Sequence, residues 1–279
     1  MQKRDSSGWK ELLSEQELSD ELCPMVSIIV PTFNNARGIA LTIESLLKQR
    51  YPDFEILVVD AGSEDRTLEI VKSYHDERIR LCSVTGYNRY EMVNKGISLS
   101  EGLYLNILFP GDYYIHIDTL RIMMRLAVEH NNPSIVYCGC LLREARKDVK
   151  VLYRALNIDL LKMGQQPTSL QSIWIKNTLF TALGKFNSHL TLRGGFDLLC
   201  RFMQTEDPHF VSTSRVLTDY DLRGVTRTMV IRHFRETFSV LRHHFGWVDA
   251  FAWLWRQNEV SRYFRLLGKS LKVAIFGRE

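Results

Sequence analysis

The 279-residue chain has no run of eighteen apolar residues, so a conventional membrane-spanning helix is excluded. No glycine-rich phosphate loop follows its first apolar strand: neither G-x-G-x-x-G nor G-x-x-x-x-G-K-S/T occurs there. A dinucleotide fold or a P-loop NTPase is thereby disfavoured. None of the five cysteines forms a C-x-x-C pair, and Cys138 and Cys140 fall inside an apolar run. All five read as reduced and buried, in a cytosolic protein. There is little excess charge. Lysine and arginine number 36 against 32 acids, a net +4 that does not imply nucleic acid. Residues 1–22 are polar and charged and read as lacking a secretory signal. Trp9, Leu12, Leu13 and Leu18 suggest a short amphipathic helix there.

What is present is organised around Val26 to Asp60. Val26–Val30 and Glu55–Val59 are short apolar runs without alternation, as expected of a parallel sheet covered on both faces. Between them Ile39, Ile43, Leu46 and Leu47 recur at helical spacing, and Tyr51-Pro52 ends the helix. This is a βαβ unit with a right-handed crossover. Ligands of such sheets bind beyond the carboxyl ends of the strands. Two polar turns lie at that edge. Thr32 to Asn35 offers a hydroxyl and two amides. Asp60 to Ser63 offers a carboxylate able to accept from a base N–H or ribose hydroxyls, and Gly62 lets a ligand approach the backbone. Asp60 and Ser63 can equally cap the helix that starts near Asp65.

The stretch Val-Ser-Ile-Ile-Val-Pro-Thr-Phe-Asn-Asn from Val26, followed by Ile-Leu-Val-Val-Asp-Ala-Gly-Ser-Glu-Asp-Arg-Thr from Ile56, resembles the start of a family 2 glycosyltransferase. The likeness is to the colanic-acid and capsule type and covers roughly residues 25 to 226. It implies a GT-A fold: α/β, Rossmann-like, a mostly parallel central sheet with helices on both faces. It also implies a nucleotide-diphosphate sugar held by Pro31, Thr32, Asn34, Asp60, Gly62 and Ser63. Ala61 departs from the usual second motif. Tyr87 to Gly96 resembles a family stretch that would turn Asn94 and Lys95 toward the donor, the lysine as a point cation for the diphosphate. Arg223, in a loop like the family's Gly-Gly-Val-Ser, is a further phosphate contact.

Most GT-A enzymes close the fourth strand with an Asp-x-Asp cluster, because two carboxylates there hold a divalent cation against the diphosphate. This chain reads Phe109-Pro110-Gly111-Asp112, so Asp112 is the implied ligand of Mg²⁺ or Mn²⁺. The resemblance places a catalytic base near Gly194-Gly195-Phe196-Asp197. Register on Leu198, Leu199 and Arg201 puts Gly195 at the base position. Asp197 lies two residues on, roughly 200° around a helix. It is the candidate base if the double glycine re-aims it, and otherwise a cap or an ion-pair partner. Gln171 matches a family His-Gln pair whose histidine is Leu170 here.

Helix is expected at Leu120–His130. Strands are expected at Ser134–Leu142 and Val149–Tyr153, joined by a charged hairpin, with a last strand from Phe210. From Arg223 onward eleven basic residues face four acids, so that segment carries +7 and the remainder −3. Trp247, Phe251, Trp253 and Trp255 are interleaved with this charge, as in helices lying in the headgroup plane of anionic membranes; packing on the domain or on a second subunit is the alternative.

The organisation expected is an N-terminal helical extension at 1–24, a GT-A domain at 25–228, and a basic aromatic helical extension at 229–279. The implied activity is inverting transfer of a hexosyl-type sugar from a nucleotide-diphosphate donor to a surface-polysaccharide or lipid-linked glycan. The location expected is cytoplasmic, with peripheral contact at the inner membrane face through 230–279. The alternative is a degenerate GT-A domain that binds nucleotide or glycan without turnover, motivated by Phe109, Leu170 and Gly195.

Overall fold

The computed structural model of the protein describes residues 23–143, 148–223 and 225–257. The expected N-terminal helix and the tail beyond 257 therefore lie outside the described residues, apart from Cys23 and Pro24. In chain order the elements are β1 (Val26–Thr32), α1 (Ile39–Leu47), β2 (Phe54–Asp60), α2 (Thr67–Ser73), β3 (Ile79–Ser83) and α3 (Arg89–Leu99). Then come β4 (Tyr104–Ile107), β5 (Tyr113–Tyr114), α4 (Thr119–Glu129), β6 (Ile135–Arg143), β7 (Lys150–Leu152) and α5 (Ile158–Lys162). A 3-10 turn at Leu170–Ser172 leads into β8 (Ile173–Lys176), α6 (Asn177–Leu183), α7 (Gly194–Met203), β9 (Phe210–Asp221) and α8 (Arg227–Arg256).

The sheet runs β3-β2-β1-β4-β8-β6-β9-β5, with β7 paired to β6. Strands β1 to β4 are parallel, whereas β8 is antiparallel to both β4 and β6. Alternate residues of β1 serve opposite faces. Ile28 and Val30 pack with Ile39, Ile43 and Leu46 of α1 and Met123 of α4. Ile29 packs in a second cluster with Val93 of α3, Phe196 of α7 and Leu241 of α8. Covering both faces is why the strand reads as an unbroken apolar run. Each such side chain taken fully from water is worth about 1.5–3 kcal/mol. The register Thr32↔Asp60 sets the two polar turns side by side at the carboxyl edge.

The expected helical C-terminal extension is α8, and it is packed into the core. Val240, Leu241, Ala250 and Trp253 are buried. Gly246 (φ 84°) breaks α8 into two helical halves. Among the described residues no helix is long and apolar enough to cross a membrane. No disulfide joins the five cysteines; Cys138, Cys140 and Cys200 are buried, but Cys23 and Cys82 are only half-buried. Cys82 lies on the edge strand β3, and Cys23 precedes β1.

Candidate functional site

The two edge turns are laced together by hydrogen bonds across about thirty residues of sequence. Asn34 adopts φ +51°, and its Oδ1 accepts from the N–H of Glu64 (2.9 Å) and Asp65 (3.3 Å). Its own N–H donates to Ser63 Oγ, and the N–H of Asn35 donates to Thr67 Oγ1. Asp60 is fully buried. Its Oδ2 accepts from the N–H of Gly62 (3.0 Å) and Ser63 (2.9 Å), and its Oδ1 from the Ser63 hydroxyl. The carboxylate therefore builds the turn first, and a ligand would meet an already bonded group. Pro31 and Thr32 are buried in the strand end, while Phe33 stands half exposed at 51 % above them. Six of the expected donor residues thus come together: Pro31, Thr32, Asn34, Asp60, Gly62 and Ser63.

The other expected donor residues are dispersed. Asn94 Nδ2 donates to Phe186 O (2.8 Å), and Phe186 N–H donates back to Asn94 Oδ1 (3.0 Å). Both halves of that amide hold the loop before α7. Lys95 is half-buried on the next position of α3. Arg223 folds onto Asp221 through Nε (2.9 Å) and Nη2 (2.8 Å).

The segment after β4 is held by α1. Thr42 Oγ1 donates to Asp112 O (2.7 Å) and accepts from Gly111 N–H (2.9 Å). A Cβ at Gly38 would lie 2.8 Å from Gly111 N, so only glycine admits this approach. Asn106 carries the other side: its Nδ2 donates to the carbonyls of Gln171 (3.0 Å) and Ile173 (2.9 Å). That bond pair sets Gln171 beside Asp112.

Asp112 is 3 % exposed. Its Oδ1 accepts from Asp221 N–H (2.8 Å) and its Oδ2 from Gln171 Nε2 (2.6 Å). Burial pushes the carboxyl up to about 7, only partly opposed by those two hydrogen bonds. The neighbouring acids are also taken. Both oxygens of Asp219 accept from Arg143 Nε (2.8 and 2.7 Å), and Asp221 is bound by Arg223. Among the described residues no group of three or more His, Cys, Asp or Glu could hold a metal. Both oxygens of Asp112, the expected ligand of Mg²⁺ or Mn²⁺, are thus engaged within the chain, and a cation would have to displace one of these two bonds. A carboxyl raised in the folded state contributes stability that is complete below its ordinary value near 3.8 and lost as pH rises through about 7. Asp112→Asn, with the Gln171 amide turned over, should therefore raise stability at pH 8 by about 1–3 kcal/mol and give no gain at pH 4. Equal melting curves for the two proteins at pH 8 would refute this.

Beside Asp112 lies a cavity of about 420 Å³ walled by α3, the 3-10 turn, α7, the end of β9 and α8. Its apolar lining includes Leu142, Leu152, Leu170, Val225 and Met229; its charged lining is Arg89, Arg154 and Arg193. Arg193 is 5 % exposed, and burial lowers its guanidinium to about 10, which leaves it charged at neutral pH. It donates to Gln166 Oε1 (2.6 Å) and Gly164 O (2.8 Å), and its Nη1 lies 3.3 Å from His233 Nε2. Burial and then the Arg193 charge lower His233 to about 4, so it is neutral at pH 7. The approach to α7 is pinned by Glu236 of α8, whose carboxylate accepts from the N–H of Thr191, Leu192 and Arg193 at 2.8–2.9 Å.

Asp197 does not line this cavity. Its Oδ2 accepts from Arg201 (Nη2 3.0 Å), and its Oδ1 lies 2.9 Å from His244 Nε2 of α8. Burial pushes its carboxyl up, but the His244 hydrogen bond and the Arg201 charge outweigh this and hold it below the usual value. The double glycine opens α7 but does not swing Asp197 round to the cavity. Asp197→Asn is expected to lower stability by about 1–3 kcal/mol and leave nucleotide affinity unchanged. An unchanged melting temperature with kcat reduced about 10²-fold or more would instead make it the base.

Sequence reasoning missed Thr42, Arg89, Arg193, His233 and Phe33. Of these only Arg89 carried a local signal, lying between the two residues of the Asn88–Glu91 capping box. Residues 27–186 match the family model described as Glycosyl transferase family 2.

The chain belongs to glycosyl transferase family 2.

This glycosyltransferase is 28 % identical over 220 residues to a PGL/p-HBAD biosynthesis glycosyltransferase of Mycobacterium bovis, covering 76 % of this chain and 82 % of that one. It is 29 % identical over 195 residues to an uncharacterized glycosyltransferase of Rickettsia typhi, covering 67 % of this chain and 61 % of that one. Among solved structures it is similar to S. aureus TarS in complex with UDP-GlcNAc, with TM-score 0.64 at 17 % identity over 90 % of this chain and 73 % of that one. It is also similar to the mannosyltransferase PcManGT of Pyrobaculum calidifontis in complex with GDP-Man and Mn²⁺. There the TM-score is 0.57 at 17 % identity over 91 % of this chain and 82 % of that one. These likenesses identify the fold as GT-A.

Proposed function

We propose that this glycosyltransferase moves a hexosyl-type sugar from a nucleoside-diphosphate donor to a surface-glycan or lipid-linked acceptor, with inversion. The observation that carries the reading is the pair of interlocked turns at the carboxyl edge, with buried Asp60 beneath and exposed Phe33 above. The nucleoside lies against these turns. The sugar and acceptor meet in the arginine-lined cavity, whose apolar wall suits an acceptor with a hydrocarbon portion. The acceptor hydroxyl attacks the anomeric carbon from the face opposite the diphosphate. The carbon–oxygen bond breaks with its electron pair left on the departing diphosphate, and the hydroxyl proton passes to a base. The sugar donors in the TarS and PcManGT complexes support this class of donor.

The test is a panel of nucleotide sugars, scored by thermal shift and by release of nucleoside diphosphate with a glycan acceptor. A donor that raises the melting temperature and is turned over supports transfer. A donor that raises it without turnover favours the non-catalytic binding partner, for which the sequestered Asp112 and Asp197 speak. No shift with any donor refutes both.

The second half of α8 supports peripheral contact with an anionic membrane on the cytoplasmic face. Trp247, Val248, Phe251 and Trp255 are 54–82 % exposed, and the Arg242 guanidinium lies 4.9 Å from the Trp247 ring centroid. Indole rings at headgroup level beside arginine suit such a surface. Truncation near Thr228 would remove buried Leu241 and Trp253, so the useful variant is Trp247→Ser with Phe251→Ser and Trp255→Ser. Co-sedimentation with anionic vesicles should be lost in that variant; equal sedimentation of variant and parent refutes the contact.

A further inference from the structure

We propose that the Arg89 guanidinium, held on the face of Phe109, binds the donor diphosphate in place of a divalent cation. The inference rests on the donor reading above. At this strand end the usual pattern of acids gathers a mobile cation. Here an aromatic ring stands at position 109 and carries a fixed cation: Arg89 Cζ lies 4.3 Å from the Phe109 ring centroid. A cation over a ring face is attracted by the ring quadrupole. Stacking also leaves the edge of the guanidinium fork free, and that edge matches two phosphate oxygens.

The surroundings fit an anion rather than a metal. Arg89, Phe109, Arg154 and Arg193 line one cavity, and no carboxylate lines it. The three acids nearest the strand end are already bonded, Asp112 to Gln171 and the Asp221 amide, Asp219 to Arg143, Asp221 to Arg223. Among the described residues no ion pair engages Arg89. Its position as first residue of α3, inside the Asn88–Glu91 capping box, fixes the backbone that carries it. The adjoining helix start adds partial positive charge, which favours an anion nearby. A guanidinium does not leave on chelation, so this arrangement makes donor binding independent of free Mg²⁺ or Mn²⁺.

Calorimetry of UDP, GDP and pyrophosphate with the full chain, in EDTA and in Mn²⁺, tests this. Affinities in the two buffers should agree within about threefold. Arg89→Gln should weaken binding by about 10–100-fold at an unchanged melting temperature, and Arg89→Lys should fall between, as a point charge without the fork. A tenfold or larger loss in EDTA overturns the proposal while leaving the donor reading intact. Wild-type affinity in Arg89→Gln overturns it as well. If pyrophosphate binds as tightly as UDP and GDP and depends on Arg89, the anion site stands and the nucleotide-donor reading fails. Absence of binding by all three overturns both.

Discussion

Arg143→Met is expected to destabilise the protein by about 3–5 kcal/mol, the cost of leaving a buried charge without its partner. Asp219 has no exposed surface, and Arg143 meets it at 2.6–2.8 Å through Nε and Nη2. The same guanidinium donates to Gly111 O (3.2 Å) and lies 5.2 Å from the Tyr113 ring centroid. Its removal unties the segment that carries Asp112 and strands a carboxylate near two other acids. In a chain of this size the melting temperature should fall by roughly 10 °C. The double exchange Arg143→Met with Asp219→Leu should recover most of the loss, because a packed apolar pair of similar volume needs no partner. A single variant that melts like the parent would refute the account.

Asp60→Ala should weaken nucleotide binding by about 10–100-fold and lower stability by about 1–3 kcal/mol, since it strands buried donors. Three groups lose their acceptor at once: the N–H of Gly62, the N–H of Ser63 and the Ser63 hydroxyl. Ser63 in turn accepts from Asn34 N–H, so slackening one turn slackens the other. The geometry predicts that affinity and melting temperature fall together. Calorimetry with UDP or GDP and a melting curve on the same preparation decide it. Parental values of both would remove Asp60 from the site.

The legible part of this protein is the part built from neighbours in sequence. The strands from Val26 and Glu55 and the helix from Ile39 follow from local pattern and occur, although the helix ends at Leu47, short of Tyr51-Pro52. So do the β6–β7 pairing and the strand from Phe210, which runs on to Asp221. The illegible part is built from pairs that meet only after folding. Asn94 looks like a donor ligand in its motif, yet its amide is consumed by Phe186, 92 residues away. Asp197 looks like a displaced base, yet His244, 47 residues on, takes one of its oxygens. The Arg89–Phe109 stack joins the start of α3 to the end of β4, and neither residue signals the other. Asp112 was recognisable as the acid of the strand end, but the Asn106 bonds that bring Gln171 onto it were not.

The Glu236 clamp has a consequence for synthesis. The segment leading into α7 hangs its three successive amides on a carboxylate more than forty residues later. On the ribosome, a nascent chain can assemble β1 to β4 and the interlocked turns while α8 is still unmade or inside the exit tunnel. The loop bearing Arg193 then has no acceptor, and the wall formed by Met229 and His233 does not yet exist. The nucleotide edge is therefore able to form early in translation, whereas the arginine-lined cavity closes only after Glu236 has emerged.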